Sequence, residues 1–199
     1  MLKVRNKRVS YLTGKGRKIP IHLKEVTVPI EDVMQFYDPG MCDKACYLGC
    51  KNWDKKLSCP PKSPSFSNYA RGCGSIRIFM AYTLMKHFNY FNSNGYRKCI
   101  VANGILKGYT EKLMTEYRSK LEAKTGKHVH IVSSGSCRKC AKCGPDVCKK
   151  PQVRVFSFES LGINVQALSR YCFEHELLWY AKKIIPNYTT VLCGILIPN

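Results

Sequence analysis

The chain has 199 residues, of which 12 are cysteines, and a formal net charge of +20 at pH 7. This many cysteines without a secretory signal or cleavage site argues against a disulfide scaffold, and we expect a cytoplasmic protein. No stretch of about eighteen apolar residues occurs, so we expect no membrane-spanning segment. The apolar fraction of 45% permits one domain with a proper core.

The first part of the chain predicts an irregular start, a strand and a helix. Residues 1–20 contain two glycines and a proline, which is typical of an arm or an irregular hairpin. Residues 22–28 predict a short strand, and Pro29 can open a helix over residues 30–37. Asp38-Pro39-Gly40 then ends that helix.

The rest of the chain alternates between strand and helix patterns. Residues 76–84 are mostly apolar and β-rich, which predicts a buried strand. Residues 111–124 predict a helix that Thr110 caps and Gly126 ends. The remaining predicted elements are a strand over 129–133, a helical turn over 157–161 closed by Gly162, a helix capped by Asn164, and a central strand over 191–197.

Four cysteines lie close together near the middle of the C-terminal half: Cys137, Cys140, Cys143 and Cys148. Thiolates with gaps of two, two and four residues suit a cubane [4Fe-4S] cluster, and the run is similar to the bacterial ferredoxin motif. It departs from that motif in its last gap, which is one residue longer, and in the position of Pro151. Four cysteines hold tetrahedral zinc equally well, so zinc is the alternative.

A second group of four cysteines precedes the first: Cys42, Cys46, Cys50 and Cys59. On a continuous helix Cys42 and Cys46 would lie about 6 Å apart along the axis, which suits one cluster, whereas Cys42 and Cys50 would lie about 12 Å apart. Gly49 offers a break where the chain could turn Cys50 back. We therefore predict a second metal site, and if only three of these cysteines bind, one iron is open to a substrate.

The other cysteines receive a different interpretation. Cys99, Cys172 and Cys193 lie in helix or strand patterns and are interpreted as small buried hydrophobes. Cys73 lies between two glycines, so it could be a ligand, a redox-active thiol or a persulfide carrier.

The motifs occur in a specific order: Cys50-x8-Cys59-Pro60-Pro61, Gly135-Ser-Cys137-x2-Cys140-x2-Cys143, the segment 157–165 and the apolar run 191–197. Over about residues 40–197 this order resembles the predicted metal-binding proteins, a cysteine-rich family of unknown function found mainly in archaea and anaerobic bacteria. The resemblance implies a metal-binding protein, presumed to hold iron–sulfur clusters, without a settled reaction. The first forty residues look like an addition to that pattern.

Lysine and arginine dominate two stretches that contain no acidic residue, 1–24 and 55–109. The second stretch also interleaves its basic residues with aromatic ones, and such mixtures pair with phosphates and stack on unpaired bases. RNA or DNA is therefore one predicted partner. The alternatives are a solvated basic surface with ordinary core aromatics, or an acidic protein partner.

These patterns predict an α+β fold, a mixed sheet flanked by helices with cysteine-rich metal-binding loops, and a division into a basic N-terminal arm or extension (1–28) and a single metal-binding domain (29–199). The first predicted function is an iron–sulfur protein with two [4Fe-4S] clusters, acting with a redox partner protein in electron transfer or in sulfur or redox chemistry, with a nucleic acid as one candidate substrate. The alternative is a zinc-stabilised nucleic-acid-binding module without catalysis. The sequence contains no phosphate loop, dinucleotide fingerprint, hydrolase pattern or CxxxCxxC radical signature.

Overall fold

The computed structural model describes residues 2–144 and 146–199, which form a mixed sheet flanked by helices. The strands are β1 (Arg5–Leu12), β2 (Lys18–Pro29), β3 (Cys73–Leu84), β4 (Ile131–Ser133), β5 (Phe156–Ser157) and β6 (Tyr188–Pro198). The helices are α1 (Ile30–Met34), α2 (Pro39–Gly49), α3 (Phe66–Tyr69), α4 (Gly95–Thr125) and α5 (Val165–Phe173). The predicted α+β fold is confirmed.

The six strands lie in the order β1-β2-β3-β6-β4-β5. All neighbouring strands are antiparallel except β4 and β5. These two strands are parallel, and Val132 of β4 pairs with Phe156 of β5. β1 and β2 form a regular hairpin in register from the pair Arg5 and Glu25 to the pair Leu12 and Lys18. Of the predicted arm or irregular hairpin over residues 1–20, the part from Arg5 onward therefore takes the hairpin form at the edge of the sheet. The proposed domain division after residue 28 stays a prediction.

Helices cover both faces of the sheet because side chains alternate along the strands. On β3, Phe79 and Ala81 pack with Leu106 of α4, and Ile78 on the opposite face packs with Leu168 of α5. Each large apolar side chain buried in this way contributes about 1.5–3 kcal/mol. The sheet is therefore the centre of a three-layer core.

The central strand β6 pairs closely with β3. A Cβ atom at Gly194 would stand only 2.8 Å from Cδ1 of Ile76 and 3.2 Å from the carbonyl oxygen of Arg77. Cys193 beside it is fully buried. The prediction of a central apolar strand is confirmed, and glycine at this position permits the close approach.

Helix α4 begins much earlier than its sequence pattern predicts. Its N-cap is Asn94, whose Oδ1 accepts a hydrogen bond from the Arg97 amide at 2.9 Å. Thr110, the predicted cap, lies buried inside the helix and donates to the Leu106 carbonyl at 3.0 Å. The predicted start is wrong because packing on the sheet outweighs the low helix propensity of the glycines at 104 and 108. The predicted end is confirmed by Gly126, which has a left-handed φ of 66°.

The segment between α1 and α2 also differs from its prediction. Helix α1 ends at Met34 rather than at residue 37, and Asp38 caps the start of α2 by accepting a hydrogen bond from the Met41 amide at 3.0 Å. The Asp38 amide donates to the Gly162 carbonyl at 2.8 Å. The predicted turn closed by Gly162, with φ of 84°, is present, and it anchors the start of α2 to the domain.

The predicted helix after Asn164 is also present. Oδ1 of Asn164 accepts from the Ala167 amide at 3.0 Å, and α5 follows. Within the described residues, no helix combines the length and the apolar character that crossing a membrane requires.

Candidate metal centre

The four cysteines of the later group, called the downstream cysteines, are Cys137, Cys140, Cys143 and Cys148. They follow strand β4 on a loop and are all half-buried. Together they line one cavity of about 40 Å³. The structure therefore brings all four predicted downstream ligands to a common space. The charged side chains that line this cavity are all cationic: Lys56, Lys139, Lys150 and Arg154.

A short segment before Pro60 docks onto the start of the downstream loop. Nζ of Lys56 donates to Oγ of Ser136 at 3.2 Å and to the carbonyl oxygen of Cys137 at 3.1 Å. Oγ of Ser58 accepts from the Cys137 amide at 3.1 Å and lies 3.9 Å from Sγ of Cys59. These contacts hold Cys59 against the downstream cysteines.

The four earlier cysteines, called the upstream cysteines, are Cys42, Cys46, Cys50 and Cys59. Cys42 and Cys46 lie one turn apart on α2, which ends at Gly49 as the proposed break requires. Cys50 is extended, with φ of −102° and ψ of 117°, and its amide donates to the Cys46 carbonyl at 3.0 Å. Cys42 and Cys59 are buried and Cys50 is exposed, so this group runs from the protein interior to its surface.

The surroundings of Cys42, Cys46 and Cys59 oppose negative charge on their sulfur atoms. Burial raises the pKa of Cys42 to about 12, and the charges of Glu159 and Cys46 add to the effect. Burial likewise raises the pKa of Cys46 to about 11, with further contributions from Cys50, Glu159 and Cys59. Cys50 and Cys59 are thus close enough to Cys46 to affect its ionisation.

The two groups meet at Cys59. Burial raises the pKa of the Cys59 thiol, a hydrogen bond from Ser58 opposes this, and the charges of Cys50 and Cys143 add to the increase. The pKa of Cys59 is therefore affected by an upstream cysteine, Cys50, and by a downstream cysteine, Cys143. The ferredoxin motif likewise assigns its Cys-Pro ligand across two neighbouring clusters.

The donor set fits a soft metal, since all eight cysteines are free thiols and thiolates select zinc or iron–sulfur clusters. Among the described residues, however, no group of three or more His, Cys, Asp or Glu side chains is arranged so that it could hold a metal ion. The four downstream thiols line one cavity.

The family model described as "Predicted metal-binding protein (DUF2284)" matches residues 36–197. The chain belongs to this family. The match contains all eight upstream and downstream cysteines. It starts after the β1–β2 hairpin and just before Asp38, whose amide donates to the Gly162 carbonyl. The family resemblance predicted from the order of motifs is confirmed. No curated protein and no solved structure matches the chain significantly.

Three of the remaining cysteines of this predicted metal-binding protein are core residues. Cys99 and Cys193 are fully buried and Cys172 is 2% exposed, in accordance with their interpretation as small core residues. Cys73 is half-buried at the start of β3, and burial raises its pKa. Its assignment as ligand, redox-active thiol or persulfide carrier stays open.

Sequence reasoning missed three residues that shape the centre: Lys56, Ser58 and Glu159. The first two lie near Cys59 in the sequence, but no spacing pattern links them to Cys137, about eighty residues later. Glu159 belongs to a helical turn interpreted from its sequence as structural. Only tertiary contacts show that these side chains adjoin the cysteines.

Proposed function

We propose that this protein is an iron–sulfur protein with two [4Fe-4S] clusters, one held by Cys137, Cys140, Cys143 and Cys148 and one by Cys42, Cys46, Cys50 and Cys59. The observation that carries the proposal is the docking of the Cys59 segment onto the downstream loop through Lys56 and Ser58, which brings two groups of free thiols together inside the part of the chain that matches a metal-binding family. Bound clusters would supply one-electron redox chemistry, which suits electron transfer or sulfur chemistry.

The arrangement of the thiols supports clusters over single zinc ions. A zinc ion needs four sulfur atoms about 2.3 Å from one point, whereas a cubane places a different iron atom at each cysteine. The four downstream cysteines line one cavity, so each can face a different iron atom of one cubane. Cationic side chains around that cavity would offset the negative charge of thiolate-bound iron.

The protein's own residues perform three tasks in this proposal. Lys56 and Ser58 fix the Cys59 segment against the downstream loop, which keeps the two groups close enough for electrons to pass between them. Burial of Cys42 and Cys59 excludes water from the inner side of the upstream group. Cys50 is the exposed member of that group, so a redox partner protein or a substrate would approach there.

A nucleic-acid-binding module with structural zinc is the second candidate, because the fold joins the two acid-free stretches. The guanidinium of Arg17 lies 4.1 Å from the ring centre of Tyr90, a cation–π contact between the hairpin and the second stretch. The pKa of His87 is lowered by burial, by Lys86 and by Arg8 of β1. Basic and aromatic side chains from both stretches therefore share one surface, which suits phosphates and unpaired bases.

Metal analysis of protein purified without oxygen separates the two candidates. About eight iron and eight sulfide per chain, with a visible absorption band that dithionite bleaches, is the expected result for two cubanes. Stoichiometric zinc without sulfide would contradict the main proposal and leave the basic surface as the functional region.

The nucleic-acid candidate is tested by anisotropy of a labelled single-stranded oligonucleotide over a salt series. Arg17→Gln should weaken binding and reduce the salt slope by about one, because one phosphate contact is lost. Lys124→Gln, at the end of α4, is the matched control and should leave the slope unchanged. Equal slopes for both variants would count against binding through the hairpin surface.

A further inference from the structure

A cavity of about 200 Å³ lies beside the downstream loop, between helix α4 and the chain that follows β4. Its walls include Lys107, Thr110 and Arg118 from α4 and Ser136 immediately before Cys137. The cavity is thus large enough for a small molecule and adjoins the loop that carries the downstream cysteines.

The charges lining this cavity do not balance. Five cationic side chains face one carboxylate, Glu111, and the cations are Lys107, Arg118, Arg138, Lys139 and Lys150. Oε1 of Glu111 pairs with Lys139 at 2.6 Å and Oε2 pairs with Arg138 at 3.8 Å. The carboxylate is therefore committed to two of the five cations. A bound anion would offset the excess positive charge of the lining.

Two of these cations are held in the wall without a full set of partners. Nε of Arg118 is buried, lies 3.8 Å from Oε2 of Glu122, and has no hydrogen-bond partner among the described residues. Lys107 has no carboxylate within ion-pair distance among the described residues. Burial, followed by the charge of Arg138, lowers its pKa, and Glu159 opposes this effect. Buried donors without acceptors are costly unless a ligand satisfies them.

Hydroxyl groups and an apolar wall complete the cavity. Oγ of Ser136 accepts a hydrogen bond from Lys56, so the Ser136 proton stays available for donation to another acceptor. Apolar side chains form another part of the lining, and these are Met114, Ile131, Val153 and Val155. Donors next to an apolar wall suit an anion that carries a small organic group.

The metal centre accounts for only some of the cationic side chains around the α4 cavity. Lys139 and Lys150 line the thiol cavity as well, so their charge also serves the metal centre. Lys107 and Arg118 line the α4 cavity and do not line the thiol cavity. Glu122 lies 3.8 Å from Arg118 and Glu159 acts on Lys107, but the buried Nε of Arg118 still has no hydrogen-bond partner among the described residues, which an anion in the α4 cavity would supply.

We propose that this cavity is a binding site for a small oxyanion, either free or as the anionic group of a small metabolite, beside the downstream cysteines. Arg118 and Lys107 supply the charge, Ser136 supplies a hydroxyl donor, and the apolar wall accepts the organic part. The proposal goes beyond the metal-binding function and does not depend on which metal the cysteines hold.

Calorimetric titration of the metal-loaded protein tests the site, with inorganic phosphate, inorganic sulfate and phenyl phosphate as probes at constant ionic strength. Saturable binding with one site per chain is expected. Tighter binding of phenyl phosphate than of inorganic phosphate would identify the anionic group of a metabolite as the source, and equal binding would identify a free oxyanion. Absence of saturable binding by all three probes would overturn the proposal.

Variants of α4 locate the binding to this cavity. Arg118→Gln should weaken phosphate binding roughly tenfold or more, because a charge-assisted hydrogen bond is lost. Lys120→Gln removes the same charge from an exposed position on the same helix and should change the affinity less than about twofold. Equal affinities of the two variants would place the anion elsewhere and overturn the assignment.

Two further measurements keep the outcomes distinct. Lys107→Gln provides a second variant with the same expected loss if Arg118→Gln does not fold, as judged by circular dichroism. Iron, zinc and sulfide are determined for every variant. Unchanged metal content with lost phosphate binding supports the oxyanion site alone, whereas absent iron with retained phosphate binding contradicts only the proposed clusters.

Discussion

The upstream and downstream cysteines have the same ligand chemistry but different supports. The upstream group contains two cysteines on helix α2, is partly buried, and is surrounded by acidic side chains that include Glu159, Asp38 and Asp43. The downstream group lies on a half-buried loop beside cationic side chains. A helix positions its thiols without metal, whereas a loop of this kind depends more on the metal for its order. The difference suggests that two similar centres would have distinct stabilities and potentials.

The largest expected effect comes from removing one ligand of each group. Cys140→Ser should eliminate about half of the bound iron and sulfide and disorder the downstream loop, because the described residues between 134 and 150 form no helix or strand. Cys46→Ser should eliminate the other half and leave most of the helical signal of α2. Metal analysis and circular dichroism measure both effects.

A buried cysteine outside both groups is the control for these variants. Cys99→Ala should retain the full metal content, since Cys99 lies on α4 and its side chain packs in the core. Full iron content in Cys140→Ser would show that the downstream cysteines do not form the proposed site.

The link between the two groups provides the next prediction. Lys56→Met removes the hydrogen bonds to Ser136 and to the Cys137 carbonyl, and should lower the unfolding free energy of the metal-loaded protein by about 1–2 kcal/mol. Urea unfolding measures the change. The neighbouring Lys55→Met, at an exposed position, should have almost no effect. Indistinguishable midpoints for the two variants would show that the docking contacts carry no stability.

The different charges around the two groups of cysteines should give their bound clusters different reduction potentials. Positive neighbours favour the more negative reduced state, so the downstream centre should have the higher potential. Glu159→Gln should raise the upstream potential and Lys150→Gln should lower the downstream one, each by some tens of millivolts. Potentiometric titration followed by electron paramagnetic resonance measures these shifts. A change of both potentials by the same amount would contradict separate environments.

The smallest expected effect concerns acid stability, which must be separated from acid loss of metal. Burial, with a further contribution from Lys24, lowers the pKa of His175, whose Nε2 lies 3.0 Å from Oγ1 of Thr190. The unfolded chain then binds the proton more readily, so stability is complete above about pH 6.5 and falls as the pH decreases below it. His175→Gln should reduce this slope in denaturant titrations. An unchanged slope would assign the acid sensitivity to other groups.

Local sequence signals predicted much of the fold. Asn164 as a helix cap, Gly126 and Gly162 as left-handed ends, and residues 191–197 as a central strand depend on local backbone chemistry and hydrophobic pattern, and all are present. The start of α4 could not be predicted in this way, because glycines at 104 and 108 weaken the pattern while distant strands supply the stabilising contacts.

The sequence by itself determined the soft, sulfur-rich donor chemistry, the two groups of cysteines and their family. Cysteine type and spacing are enough for these conclusions, since a metal selects its ligands by donor atom and reach. Only the tertiary structure decided that the groups meet at Cys59, that Lys56 and Ser58 join them, and that α4 forms a cationic cavity beside the downstream loop. These features depend on contacts between residues far apart in the chain, which no local pattern encodes.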